Sequence, residues 1–243
     1  MRRVDPNPEL LTMTSLLNLH SGDLVLDAQT EYDLMLRFIH DRTGSFGRSI
    51  GLCVGKETAG KVETQLEKWN LKGIELMIGH PATHLQNFDN NFFNATLLRN
   101  TQILLNLERP LQQLERITKP GGRVVARHTQ WNVVLPKADE KEIEMLETLL
   151  PKSCVDGNDF FRRFESIPTK GWREVRYDVY TVATRDPRGA VRHDYDWRTM
   201  LRDQITKARI FTPRETLDLI ERLENTRGAK VSIDRYLALG IKR

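Results

Sequence analysis

The sequence predicts an α/β protein with seven strands in a mostly parallel sheet flanked by helices. Three stretches carry that expectation. Gly22-Asp23 is a turn signal ahead of the apolar run Leu24-Val25-Leu26, and Leu34, Leu36, Phe38 and Ile39 then begin a helical segment, so the chain reads strand, tight turn, helix. Short apolar runs alternate with segments of helical periodicity up to about residue 130, as a parallel sheet with crossover helices requires. Lys119-Pro120-Gly121-Gly122-Arg123-Val124-Val125 joins a basic residue, Pro and paired Gly that stop a helix to an apolar run that starts a strand.

Taken in order, Leu10, Leu11, Met13, Leu16 and Leu17 suit a short helix after Pro6 and Pro8. Beyond the opening strand and helix, the glycines of residues 41–48 make a loop, and residues 49–54 form a second apolar strand. Residues 56–69 predict a helix with Val62, Leu66 and Trp69 on one face. Residues 74–78 give a third strand, a loop follows, and residues 95–98 give a fourth. Leu104, Leu107, Leu111, Leu114 and Ile117 step by three and four, an amphipathic helix. After the fifth strand, residues 138–150 and 158–164 read as helices, and residues 173–183 alternate polar and apolar as a sixth strand. Residues 195–208 are helical by composition. Thr212-Pro213-Arg214-Glu215 is a capping box with Pro at the first helical position, continued by Leu217, Ile220 and Leu223, and residues 236–241 make the last strand.

Composition bounds the function. With 243 residues and 39% hydrophobic content the chain can bury a sizeable core. No run approaches the roughly eighteen apolar residues of a membrane span, and Met1 to Glu9 lacks the apolar centre of a secretory signal, so a cytoplasmic protein without a membrane partner is expected. Cys53 and Cys154 are far apart with no His cluster at metal spacing, which predicts free thiols and no metal site. The net charge is +4, and the arginines and lysines between Arg185 and Arg209 are interspersed with Asp186, Asp194, Asp196 and Asp203. Mixed signs mark a solvated helical face, and nucleic-acid binding is not indicated.

The first strand with its Gly22-Asp23 turn and Asp27 resembles the first motif of class I S-adenosylmethionine (SAM) dependent methyltransferases. Phe88-Asp89-Asn90-Asn91-Phe92-Phe93-Asn94 resembles that family's entry to its fourth strand, with Asn94 where an Asp is usual. Leu114-Glu115-Arg116-Ile117-Thr118-Lys119-Pro120-Gly121-Gly122 closely resembles the junction before strand five in its small-molecule members, including the ubiquinone and menaquinone C-methyltransferases. The resemblance runs from Leu10 to about Thr129. It implies a Rossmann-like class I methyltransferase fold in one domain over residues 1–243. Residues 10–130 would form the nucleotide-binding-type half, and residues 131–243 the substrate-side half, with the last strand antiparallel at the sheet edge.

The same resemblance marks the cofactor positions, and at these the chain departs from the pattern. Aligned by Asp27, the three glycines of the family's loop are Gln29, Glu31 and Asp33; the acid that accepts both ribose hydroxyls is Cys53; the Asp that contacts the adenine amino group is His80. Side chains at glycine positions fill space that a ligand would approach, Glu31 and Asp33 compete with a bound carboxylate at the helix N-terminus, and a thiol is a weak acceptor. Contacts to one ligand are replaced together, so these positions read as vestigial and no cofactor is expected, SAM entering only if its contacts are rebuilt.

For chemistry, strand five delivers Arg127-His128-Thr129-Gln130-Trp131 to the carboxyl edge of the sheet, where open α/β folds hold their ligands. His128 is the candidate acid or base, Arg99 the candidate holder of an anionic or enolate oxygen, and Trp131, Thr129 and Leu98 the candidate substrate pocket. The competing reading makes His128 a satisfied structural residue and Trp131 plain core. Three functions stay open. The first is an enzyme of small-molecule biosynthesis performing a cyclisation, dehydration or isomerisation without methyl transfer. The second is an active SAM-dependent small-molecule methyltransferase with unusual contacts. The third is a non-catalytic pseudo-methyltransferase that supports a partner enzyme; a homodimer is also open.

Overall fold

The computed structural model describes residues 8–31, 34–99, 101, 107–149, 157–167, 172–185, 198, 201–202 and 211–243. The predicted helix at 195–208 lies largely outside them. In chain order the elements are α1 (Pro8–Leu17), β1 (Leu24–Thr30), α2 (Met35–Thr43), β2 (Arg48–Cys53), α3 (Lys56–Lys68), β3 (Ile74–Ile78), α4 (Pro81–His84), β4 (Phe93–Leu98), α5 (Glu108–Ile117), β5 (Thr118–Val134), α6 (Glu140–Leu149), α7 (Gly157–Ser166), β6 (Trp172–Arg185), α8 (Pro213–Asn225) and β7 (Lys230–Lys242). A seven-stranded sheet runs β3-β2-β1-β4-β5-β7-β6, and the pairs β3–β2, β2–β1, β1–β4 and β4–β5 are all parallel. The expected α/β class with its mostly parallel seven-stranded sheet is what the chain forms. Two details differ. β7 lies between β5 and β6, so β6 takes the sheet edge expected for the last strand, and α4 forms where a loop was expected.

β1 is central because it is apolar on both faces: Val25, Leu26 and Ala28 are wholly buried, as a parallel strand covered by helices on each side must be. β3, at the opposite edge, has only half-buried and exposed residues. Gly51 of β2 pairs with Asp27, and a side chain there would come within 2.7 Å of the Thr30 hydroxyl; glycine lets these strands and their side chains pack this closely. The helices bury most of the faces that their periodicity predicts, Trp69 being half-buried just past the end of α3. α3 buries Ala59, Val62 and Leu66, and α5 buries Pro110, Leu111, Leu114 and Ile117.

The Lys119–Gly122 turn is not a connection ahead of β5 but a bulge within it. Phe93 pairs with Thr118 and Ala95 with Arg123, so four residues of β5 face one of β4. Gly121 takes φ +76, a conformation that glycine adopts without Cβ strain.

The chain divides into two compact units, residues 1–128, 158–178 and 237–243 in the first and residues 129–157 and 179–236 in the second. The first contains segments of all seven strands. In it Phe164 stacks on Trp172 with ring centroids 5.2 Å apart, and the Trp172 indole N–H donates to the Phe164 carbonyl at 3.1 Å. The second has its own core of Trp131, Leu135, Met145, Leu219, Leu223, Val231 and Ile233. There α6 and α8 are tied by Glu142, which accepts from Arg222 at 2.7 and 3.1 Å. Among the described residues no helix is long and apolar enough to cross a membrane.

Candidate functional site

Asp27 is the single charged residue of β1, and its side chain is fully buried. A carboxylate taken out of water costs several kcal/mol, on the order of the whole stability of a domain, unless it is paired. Its partner is Arg99, one residue past β4, the strand beside β1. The Arg99 guanidinium meets the carboxylate as a fork, Nε to Oδ1 at 3.2 Å and a terminal N–H to Oδ2 at 2.7 Å, with neither side chain exposed. Such two-point geometry is the strongest form of ion pair.

The pair sits where β1 leaves its regular register. Asp27 faces Gly51 and Thr30 faces Cys53, so Ala28 and Gln29 together oppose Leu52. This bulge occupies the start of the stretch where the family has its glycine loop. Gln29 is buried, and its backbone N–H lies 3.4 Å from Asp27 Oδ1. The Thr30 hydroxyl donates to the Asp27 carbonyl at 3.2 Å. Charge continues outward: Arg127 of β5 donates to the Arg99 carbonyl and lies 3.9 Å from Glu31, whose carboxylate is partly exposed. Asp27, Arg99, Arg127 and Glu31 thus gather both signs of charge along the carboxyl edge of β1, β4 and β5. Asp33 lies outside the described residues.

The Cys53 thiol, at the end of β2, is fully buried. Burial pushes it up to about 11, the Asp27 charge adds to this, and Arg99 offsets part of it, so at neutral pH it is a protonated, weakly polar group. Beyond it, Val54 and, at the end of β3, Ile78 are exposed at 38% and 49%, the large apolar residues at this part of the edge. His80 caps α4, its Nδ1 accepting from the Ala82 N–H at 3.2 Å.

The residues expected to form the reacting centre are distributed differently. His128 is 2% exposed; its Nδ1 shares a hydrogen bond with the Thr101 hydroxyl at 2.8 Å, and its ring stacks on Phe160 with centroids 5.4 Å apart. Arg99 has its fork on Asp27, so its charge is already balanced. Leu98 is wholly buried. Thr129 and Trp131 belong to the second unit, where Trp131 packs in the apolar core and the Thr129 hydroxyl accepts from the buried Arg235. The structure brings together Asp27, Arg99 and Glu31, and it adds Arg127, which the sequence did not single out as a site residue. The available signal was charge inside an apolar run. A charge there marks a buried ion that needs a partner, without naming the partner.

No protein-family model matches the sequence, and no curated protein is found as its relative. Solved structures match it by fold. YcgJ from Bacillus subtilis shares 13% identity at a TM-score of 0.64, covering 98% of this chain and 99% of that one. Phosphoethanolamine N-methyltransferase 2 from Haemonchus contortus, solved with S-adenosyl-L-methionine, shares 13% identity at a TM-score of 0.65, covering 97% of this chain and 53% of that one. Geranyl diphosphate C-methyltransferase from Streptomyces coelicolor, solved with Mg2+, geranyl diphosphate and S-adenosyl-L-homocysteine (SAH), shares 13% identity at a TM-score of 0.57, covering 96% of this chain and 80% of that one.

These neighbours correct the expectation of no cofactor. Proteins that share the fold over nearly all of this chain were crystallised with SAM or SAH, so the replacements at Gln29, Glu31, Cys53 and His80 are no ground for reading the fold as cofactor-free. The physical reason is that side chains supply only part of a nucleotide site; strand ends, turns and apolar walls supply the rest. The chain has the fold of the class I SAM-dependent methyltransferases.

Proposed function

We propose that the chain binds SAM or its demethylated product at the carboxyl edge of β1, β2 and β3, and acts on a small molecule as a methyltransferase whose cofactor contacts are rebuilt. The observation that carries this reading is the pair of exposed apolar side chains at the ends of adjacent strands, Val54 after β2 and Ile78 of β3. Exposed apolar groups at the ends of adjacent strands offer apolar surface, here called the shelf, to an aromatic base. Glu31, partly exposed at the end of β1, offers an acceptor for an ammonium group. At the ribose the residues do not fit the family's contact, because Cys53 offers a buried neutral thiol where a carboxylate would accept two hydroxyls.

When bound, SAM supplies an electrophilic methyl group. The chain's own residues give the site its floor: the Asp27–Arg99 fork fixes β1 and the end of β4 relative to one another, and Arg127, within β5, is tied to the same point. A reading without methyl transfer rests on the His128 imidazole, held by Thr101 and Phe160, a group whose chemistry suits proton transfer near neutral pH. The cofactor shelf is tested by Ile78→Gln and Val54→Gln, both at exposed positions where folding is little affected. With SAH as the probe in calorimetry, the variants should bind at least tenfold more weakly than the parent. Unchanged SAH affinity in both would refute the shelf.

A further inference from the structure

The amino ends of the strands carry a second concave site, on the opposite edge of the sheet from the proposed cofactor shelf. A cavity of about 340 Å3 is lined by Asp23, ahead of β1, Asn94 of β4, Lys119 to Arg123 of the β5 bulge, Arg173 of β6 and Ile241 of β7, all within the first unit. Its size falls within the range of small-molecule pockets, about 300–1,000 Å3.

Three cationic side chains converge there. Lys119 donates to Asn94 Oδ1 at 3.1 Å, Arg123 is tied to the Leu16 carbonyl at 2.8 Å, and Arg173 is exposed and has no hydrogen bond or ion pair among the described residues. Asn94 Oδ1 also accepts from the Leu24 N–H at 3.1 Å, which fixes the amide's orientation. The amide Nδ2 is therefore a donor with no acceptor among the described residues. A Cβ added at Gly121 would meet nothing within 4 Å, so backbone of the bulge borders open space, as in concavities that bind anions through main-chain N–H groups. One acid shares the cavity. Asp23 Oδ2 accepts from the His20 N–H at 2.7 Å, and its side chain is mostly covered. The Arg123 guanidinium is held below its ordinary value, first by burial, then by the neighbouring Arg176 and, after the opposing effect of Glu174, by Arg173. Like charges gathered without a matching number of acids leave a positive field at the mouth.

We infer that this cavity binds the phosphate group of a small phosphorylated metabolite, with Lys119, Arg123, Arg173 and the Asn94 amide as its donors. Arginine and lysine supply charge-assisted bonds to phosphate oxygens, and a concavity of about 340 Å3 suits one small molecule rather than a nucleic-acid backbone.

The test is calorimetric titration with inorganic phosphate and with glycerol 3-phosphate at constant ionic strength, with chloride as the control. Amide shifts of Gly121 and Gly122 are followed in parallel by NMR. Saturable binding of either phosphate that moves these two amides, and that weakens at least tenfold in Arg173→Gln, is expected. Arg173 makes no described bond, so the variant should keep the parental circular dichroism spectrum and melting temperature. Lys119→Gln, which leaves the bulge glycines in place, should weaken binding similarly. The inference is overturned by absence of saturable binding, by equal affinity in Arg173→Gln and Lys119→Gln to that of the parent, or by shifts confined to the carboxyl edge. Arg173-dependent binding of a single-stranded oligonucleotide without binding of the small phosphates would also overturn it, in favour of a nucleic-acid surface.

Discussion

Replacing Arg99 by Met removes one half of a fork that holds the only charge inside β1, and the consequence can be sized from the structure. Both side chains of the Asp27–Arg99 pair are at zero exposure, so the Asp27 carboxylate of the variant cannot recover its lost bonds from water. Breaking a buried pair by removing one partner costs about 3–5 kcal/mol. The total stability of a domain is about 5–15 kcal/mol, so a large share would be lost. For a chain of this length each kcal/mol moves the melting temperature by about 2–4 °C, giving an expected fall of roughly 6–20 °C for Arg99→Met. The double variant Asp27→Leu with Arg99→Met removes both charges and the unpaired acid with them, so it should recover much of that loss. Thermal and urea unfolding followed by circular dichroism, with the two single variants and the double variant in one cycle, measures both effects. An Arg99→Met protein that melts within about 2 °C of the parent would refute the claim that the pair supports the ends of β1 and β4.

Three further outcomes are expected. Thr212 accepts from the Glu215 N–H at 3.3 Å and Glu215 accepts from the Thr212 N–H at 2.7 Å, so Thr212→Ala should cost about 1 kcal/mol and raise amide exchange in the first turn of α8; unchanged exchange would show that the cap contributes nothing. Glu215 is lowered from 4.5 to about 2, first by its hydrogen bond to Lys141 and then by Thr212. A depressed carboxyl stabilises the fold above its unfolded value and loses that contribution as pH falls through the folded one, so the gap between parent and Glu215→Gln should close between pH 4.5 and about 2, and a gap that persists at the acid end would contradict this. Cys53, raised to about 11 by burial first, should resist iodoacetamide in a Cys154→Ser background at mildly alkaline pH and react fully on unfolding; labelling of the folded protein at the rate of a free thiol would show that it is accessible.

The parts of the fold that were legible in the sequence are those set by near neighbours. The Thr212 box joins residues three apart, and both of its bonds form. The stripe of α5 needs only its own period: Leu111, Leu114 and Ile117 are buried as that period predicts, with Pro110 beside them, while Leu104 lies outside the described residues. A second box of the same kind opens α6. Asp139 and Glu142 exchange bonds at 2.9 and 2.8 Å at the start of α6, and the spacing of Asp139 and Glu142 already carried that signal. Long-range pairings were not legible. Asp27 and Arg99 are 72 residues apart, and only the strand order that places β4 beside β1 brings them together. The position of β7 between β5 and β6 is of the same kind, since alternation of apolar residues names a strand but not its neighbours. At the site, what the sequence offers is the resemblance by which Gln29, Glu31 and Cys53 align with the family's glycine loop and ribose acid. It could not show that the carboxylate left in β1 is balanced by an arginine of this chain, nor that Thr129 and Trp131 fall in a separate compact unit.

The most direct test of the proposed cofactor site is calorimetric titration of the full chain with SAM and, separately, with SAH. The missing ribose carboxylate removes charge-assisted bonds worth about 1.5–3 kcal/mol, which weakens binding by roughly 10- to 150-fold without abolishing it. The expected result is saturable binding of one equivalent of either ligand, each displacing the other, in the micromolar to millimolar range. Absence of binding heat for both ligands up to several millimolar, with the protein folded by circular dichroism, would contradict it.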